Sequence, residues 1–270
     1  MDNRAIGVFD SGLGGLTVVA ELIHLLPHEN IIYFGDTGRV PYGTRSRDTI
    51  ERYAKQDENF LLSLNVKLII AACGTVSSVA PHTGIDLGVP FVEVVKPAVI
   101  AAAKTTRNGK IGVIGTTATI LSGAYTRELL KINADFDIHT VDCPLFVPLV
   151  EAGWINRDDE ITRLTAKRYL ESLKTANIDT LILGCTHYPL ISDIISDVFD
   201  GNIHLISTGK ATAKVAAELI CEKALLSDSK DEGNYEFYVS DRPEGFSKLA
   251  NLFLKREIEA CVTQIDVNKY

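Results

Sequence analysis

Two cysteines in nearly the same setting carry the clearest chemistry in this chain. Cys73 follows the run Leu68-Ile69-Ile70-Ala71-Ala72 and precedes Gly74-Thr75, whereas Cys185 follows Leu181-Ile182-Leu183-Gly184 and precedes Thr186-His187. Each run has the length and composition of a buried strand, and each thiol is followed by a hydroxyl residue and an expected helix. A solitary free cysteine is more often a small core hydrophobe, but the shared context of these two favours function. Two thiols at the ends of strands in two halves of a protein can face each other across a cleft. Such a pair can take a proton from one face of a carbon and return one to the other. Helix N-termini stabilise anions, so both thiols are expected to ionise below the ordinary value of about 8.5. Cys143, Cys221 and Cys261 lack this context and are assigned to packing.

Other candidates cluster near the same strand ends. Asp10-Ser11-Gly12-Leu13-Gly14-Gly15 closes the first apolar run and opens a helix, a loop able to present backbone amides to an anion. It has neither the Lys-Ser/Thr of a phosphate loop nor dinucleotide-binding glycine spacing. Asp10 and His187 are suitable proton partners for neighbouring thiols. Pro41-Tyr42-Gly43 reads as a turn whose amides can hold a carboxylate. Glu151, in Pro148-Leu149-Val150-Glu151, reads by itself only as an acid on a helix surface.

The elements that must position these residues alternate in type. Strands are expected at 5–9, 31–34, 67–72, 91–94, 110–114, 137–141, 180–183 and 204–206. Helical periodicity fills 14–26, 47–64, 97–104, 122–132, 158–176, 190–199 and 210–226, and the tail at 235–254 adds a strand and a helix. This alternation predicts an α/β fold of parallel sheets with helices on both faces. A second echo, Ala5-Ile6-Gly7-Val8 against Lys110-Ile111-Gly112-Val113, recurs in the same order as the cysteines and at a similar offset. Two pseudo-symmetric lobes from a duplicated unit are therefore expected, with the active site in the cleft between them. Asp10, Ser11, Cys73, Thr116 and Cys185 all fall at strand ends, where open parallel sheets bind ligands.

Composition sets the outer bounds. The 270 residues allow one large or two modest domains, and a net charge of −8 argues against nucleic acid as a partner. No apolar stretch is long enough to span a bilayer, and no signal-peptide pattern opens the chain, so a cytoplasmic location and no membrane partner are expected. Five cysteines without close pairs fit reduced thiols, and neither Cys-x-x-Cys nor clustered histidine suggests a metal.

Taken together, Asp10-Ser11-Gly12-x-Gly14-Gly15, Val40-Pro41-Tyr42-Gly43, Ala72-Cys73, Pro144 through Glu151 and Gly184-Cys185-Thr186-His187-Tyr188-Pro189-Leu190 resemble the glutamate racemases of the cofactor-independent aspartate/glutamate racemase superfamily. The resemblance spans most of the first 200 residues. It implies interconversion of L- and D-glutamate without a cofactor, supplying D-glutamate for peptidoglycan. In that scheme Cys73 takes the α-proton of the D-isomer and Cys185 that of the L-isomer. Asp10 assists Cys73, and Glu151 with His187 assists Cys185. Asp10, Ser11, Pro41, Tyr42, Gly43, Thr75, Thr116, Thr119, Thr186, His187 and the amide of Gly74 are the implied substrate contacts. The second lobe, 98–206, is inserted in the first, 1–97 plus 207–270. The implied partner is the small-molecule substrate, with a homodimer as the candidate assembly.

Gly74 departs from the Asn usual at that position, which implies weaker glutamate binding, partly recovered by Gly74→Asn. Ser207-Thr208-Gly209 departs from the usual Asp-Ser-Gly. Three alternatives stay open on sequence grounds. One is a racemase for aspartate or another small acid, the second an actin-like nucleotide-binding protein suggested by the Asp10–Gly15 loop, and the third a non-catalytic glutamate-binding protein.

Overall fold

The computed structural model describes residues 1–80, 87–244, 246–254 and 262–270. Among them, every strand pairing is parallel and the strands form two sheets. The first sheet holds β1 (Ile6–Asp10), β2 (Ile31–Gly35), β3 (Leu68–Ala71), β4 (Phe91–Glu93), β9 (Tyr235–Val239) and β10 (Val262–Gln264), in the order β10-β9-β2-β1-β3-β4. The second holds β5 (Lys110–Gly115), β6 (Asp137–Asp142), β7 (Thr180–Leu183) and β8 (His204–Ser207), in the order β6-β5-β7-β8. The segment β2-β1-β3-β4 thus repeats as β6-β5-β7-β8. That match is what a duplicated unit produces, with β9 and β10 extending one edge of the first copy.

Helices cover both faces of the sheets, so the central strands read as unbroken apolar runs rather than alternating ones. Side-chain alternation still sorts their residues between faces. In β1, Ile6 and Val8 join one core cluster and Phe9 another; in β7, Leu181 and Leu183 join the first and Ile182 a third. The largest cluster runs through both lobes, from Leu16, Val19 and Leu22 of α1 (Leu16–Leu25) to Ala213 and Ala216 of α10 (Thr208–Glu222) and Phe146 of α7 (Phe146–Glu151). Each fully buried Leu, Ile or Phe contributes about 1.5–3 kcal/mol, so this shared core holds the lobes together.

Local signals explain the helix starts. Ser46 caps α2 (Arg47–Ser63) through the Thr49 amide, and Asp159 caps α8 (Glu160–Thr175) by accepting from the Thr162 amide at 2.8 Å. The remaining helices are α3 (Gly74–Val79), α4 (Val95–Thr105), α5 (Thr117–Ser122), α6 (Ala124–Ile132), α9 (Ser192–Val198) and α11 (Phe246–Leu254). All eight expected strands and the tail strand and helix are present. The periodicity did not register the short α7 or β10. Cys221 is exposed on α10, not packed as expected, and Cys261 lies outside the described residues. Among the described residues no helix is long and apolar enough to cross a membrane.

Candidate active site

The C-terminal ends of β1 and β3 in the first lobe, and of β5 and β7 in the second, border one cavity of about 350 Å³. Its lining includes Cys73 from one lobe and Cys185 from the other. Both thiols are buried.

Around Cys73 the geometry is acidic and enclosed. Its Sγ lies 3.3 Å from Ser11 Oγ and also accepts from the backbone amides of Val76 and Ser11. Burial, reinforced by the Asp10 carboxylate, pushes the thiol up to about 12. This reverses the expected lowering. Cys73 does stand at the N-terminus of α3, but that helix has six residues, and desolvation beside a carboxylate outweighs it. Asp10 is itself raised by burial, against the pull of His187, the Gly15 and Gly12 amides and a hydrogen bond from Cys73. The glycine-rich loop therefore spends two amides on Asp10 instead of presenting them to a free anion, with Gly12 N donating to Asp10 Oδ2 at 3.2 Å.

Around Cys185 the partners differ. Its Sγ is 3.7 Å from His187 Nδ1, and His187 Nε2 is 3.0 Å from Glu151 Oε1 at the end of α7. Burial alone would lower His187, but the hydrogen bonds to Cys185 and Glu151 and the charges of Cys185 and Asp10 raise it to about 10. The imidazole is thus held protonated between a sulfur and a carboxylate. Cys185 does not open an α-helix: a 3₁₀ turn, Tyr188–Ile191, intervenes before α9.

The other expected residues sort clearly. Ser11, Pro41, Gly43, Gly74, Thr75, Thr116, Thr186, His187, Asp10 and Glu151 all line the cavity. Thr75 Oγ1 and Thr116 Oγ1 are 3.0 Å apart and bridge the lobes. Thr119 is buried behind Thr116, 3.0 Å from its hydroxyl, and is not part of the cavity lining. Tyr42 borders the cavity, but its hydroxyl turns away toward the buried Asp36 and Asp57, which Arg39 also binds. Residues not singled out from sequence include Cys143, Pro144, Val147 and Pro148, which form an apolar wall beside Glu151. The Pro144–Glu151 run carried a signal for this only through its family resemblance. Cys143 is both core and cavity wall, and burial pushes its thiol up.

Gly74 has no room for a side chain. A Cβ there would lie well under 3.0 Å from the Gly184 carbonyl oxygen across the cleft. Gly74→Asn therefore requires a local shift of the backbone at position 74 or of the Gly184 peptide.

Two parallel-sheet lobes of matching strand order thus place a thiol from each on one shared cavity. The chain belongs to the Asp/Glu/Hydantoin racemase family, whose model matches residues 14–216. It is 45% identical over 252 residues to a glutamate racemase of Geobacter metallireducens, covering 93% of each chain. Among solved structures, the glutamate racemase of Francisella tularensis in complex with D-glutamate matches with a TM-score of 0.92 and 39% identity over all of both chains. The Thermus thermophilus glutamate racemase in complex with beta-chloro-D-alanine matches at 0.88 and 41%, again over all of both chains.

Proposed function

We propose that this protein interconverts L- and D-glutamate by proton transfer between Cys73, Cys185 and the substrate α-carbon, without a cofactor, and so supplies D-glutamate for peptidoglycan in the cytoplasm. The observation that carries this reading is the placement of one buried thiol from each lobe on a single cavity. The glutamate racemases similar over nearly the full chain support the choice of substrate.

In the L-to-D direction, the Cys185 thiolate takes the α-proton and the Cys73 thiol delivers its own to the opposite face. Cys185 is left as thiol and Cys73 as thiolate. The D-to-L direction runs the same steps in reverse. The pocket favours this starting arrangement: Cys73 holds its proton up to about 12, while protonated His187 offers Nδ1–H to Cys185. Asp10, raised by burial and bonded to Cys73, is placed to relay that proton, and Glu151 holds the ring of His187 in orientation. Amides at Gly74 and Thr75 and the hydroxyls of Ser11, Thr116 and Thr186 are the groups available to the growing negative charge on the substrate carboxylate. Closure around the substrate excludes water and strengthens those interactions. The lobe division 1–97 plus 207–270 against 98–206 follows from this reading of the cleft.

The test is circular dichroism on purified protein with no added cofactor, starting from L- and then D-glutamate, with both aspartate isomers as comparators. Decay of the glutamate signal from either side supports the proposal. Activity on aspartate alone, or none without an added cofactor, refutes it.

A further inference from the structure

His187 is held from two directions by groups of the cavity and from a third by a residue outside it. Its Nδ1 is 3.7 Å from Cys185 Sγ, and its Nε2 is 3.0 Å from Glu151 Oε1. These two contacts meet the imidazole at its two nitrogens. By themselves they leave the ring free to rock about the line that joins them. The third contact is Phe253, whose ring centroid lies 5.3 Å from that of His187, with the two planes at 90°. Aromatic rings prefer this T-shaped arrangement to a face-to-face one.

Phe253 reaches His187 from a different part of the fold. α11 follows β9 of the first sheet, whereas His187 follows β7 of the second. Among the described residues, α11 contributes nothing to the cavity lining. Phe246, Ala250 and Phe253 stand at i, i+4 and i+7, so they share one face of α11, and all three are buried. At the start of that face, Phe246 packs on Phe237 of β9 and Tyr33 of β2, with centroids 6.0 and 6.4 Å away. Two turns on, Phe253 meets the imidazole. α11 also packs against α1, where Thr17 Oγ1 donates to the Thr186 carbonyl at 3.0 Å. The same packed pair of helices therefore supports Thr186 by a hydrogen bond and His187 by a ring.

A phenyl ring suits this place chemically. Cys185, Glu151 and Asp10 are the titratable groups that act on His187. A polar side chain at position 253 would compete with them for the ring nitrogens. Phenyl adds no donor, acceptor or charge, and it keeps out water, which would weaken the bonds to Cys185 and Glu151.

We propose that Phe253 is a positioning residue, which fixes the tilt of the His187 ring and through it the approach of Nδ1 to Cys185, without touching the substrate. The proposal rests on the racemase reading and adds to it a residue from outside the cavity. Proton transfer is sensitive to such placement, since an error of about 1 Å can cost on the order of 10²-fold.

The test measures kcat and KM in both directions for the full-length wild type, Phe253→Leu and Phe253→Tyr, and for each substitution combined with His187→Asn. Circular dichroism confirms folding, and Phe253→Met replaces Phe253→Leu if the latter does not fold. The two enantiomers have equal free energy, so kcat/KM must fall equally both ways. Phe253→Leu is expected to lose about 10- to 10²-fold in kcat, with a much smaller change in KM. Phe253→Tyr keeps the ring and should keep most of the activity. In the His187→Asn background, Phe253→Leu should remove little more, because residues that act through one another are not additive. Unchanged kcat in Phe253→Leu, an equal loss in Phe253→Tyr, or the full loss repeated without His187 overturns the proposal. If His187→Asn has no measurable turnover, the comparison of Leu with Tyr decides. An inactive wild type would instead overturn the racemase reading.

Discussion

The two thiols are alike in sequence setting and unlike in surroundings. Cys73 sits beside the buried Asp10, which with burial pushes its thiol up to about 12, whereas Cys185 sits beside His187, whose imidazole is raised to about 10. Cys73→Ser removes the acid for one face and the base for the other. Its kcat/KM is expected to fall by at least 10²–10⁴-fold, equally from L- and D-glutamate, while calorimetry still detects glutamate binding. The raised His187 has a second consequence. A folded value near 10 above an unfolded value of 6.5 contributes stability that is complete below 6.5 and lost as the pH rises through 10. Melting temperatures of the wild type should therefore drop more between pH 6.5 and 10 than those of His187→Asn; parallel curves would remove His187 from that role. The positions of both cysteines were legible because each ends an unmistakable buried strand. Their surroundings were not, since Asp10, Glu151 and His187 arrive from elements far apart in the chain.

At the scale of elements, the cavity is made by strand ends and by the loops that follow them. Parallel strands buried on both faces, such as β1, β3 and β7, announce themselves as apolar runs and were readable for that reason. Short segments such as α7 and β10 have too few residues to show a period, so the wall beside Glu151 could be drawn only from resemblance. Thr119 supports Thr116 from behind through its hydroxyl. The turn at Pro41–Gly43 is anchored by Tyr42, whose hydroxyl meets Asp36 and Asp57. Burial and the charge of Asp36 push Asp57 well up, so this hydroxyl stabilises a crowded acidic pair. Tyr42→Phe leaves those carboxylates short of a donor, and urea denaturation should show a loss of about 1–3 kcal/mol. A raised KM should accompany it, because the turn borders the substrate cavity. An unchanged urea midpoint would argue that Arg39 and Ser240 satisfy the pair without it.

For the whole molecule, the repeated strand order explains why one fold can present two thiols to one substrate. Sequence echoes pointed to the two matching lobes. They did not disclose how closely the halves meet, because a glycine that permits a contact looks the same as a glycine in any turn. The chain leaves the first lobe and returns to it, and a buried ion pair secures the junction. Lys67 Nζ binds Glu29 and donates to the carbonyls of Asp2 and Leu225, joining the first strands to the segment after α10. Lys67→Met removes the cation from the buried Glu29 and leaves it the Ser227 amide, at an expected cost of about 3–5 kcal/mol. Thermal denaturation should register that loss while kcat at low temperature stays near wild type. The central claim, that separate groups on separate lobes remove and return the proton, is tested most directly by racemisation in deuterium oxide. Starting from either isomer, the first product formed should carry deuterium at the α-carbon, while unreacted substrate stays protonated. Product that retains its original α-proton would mean that one group does both jobs, and would contradict the account.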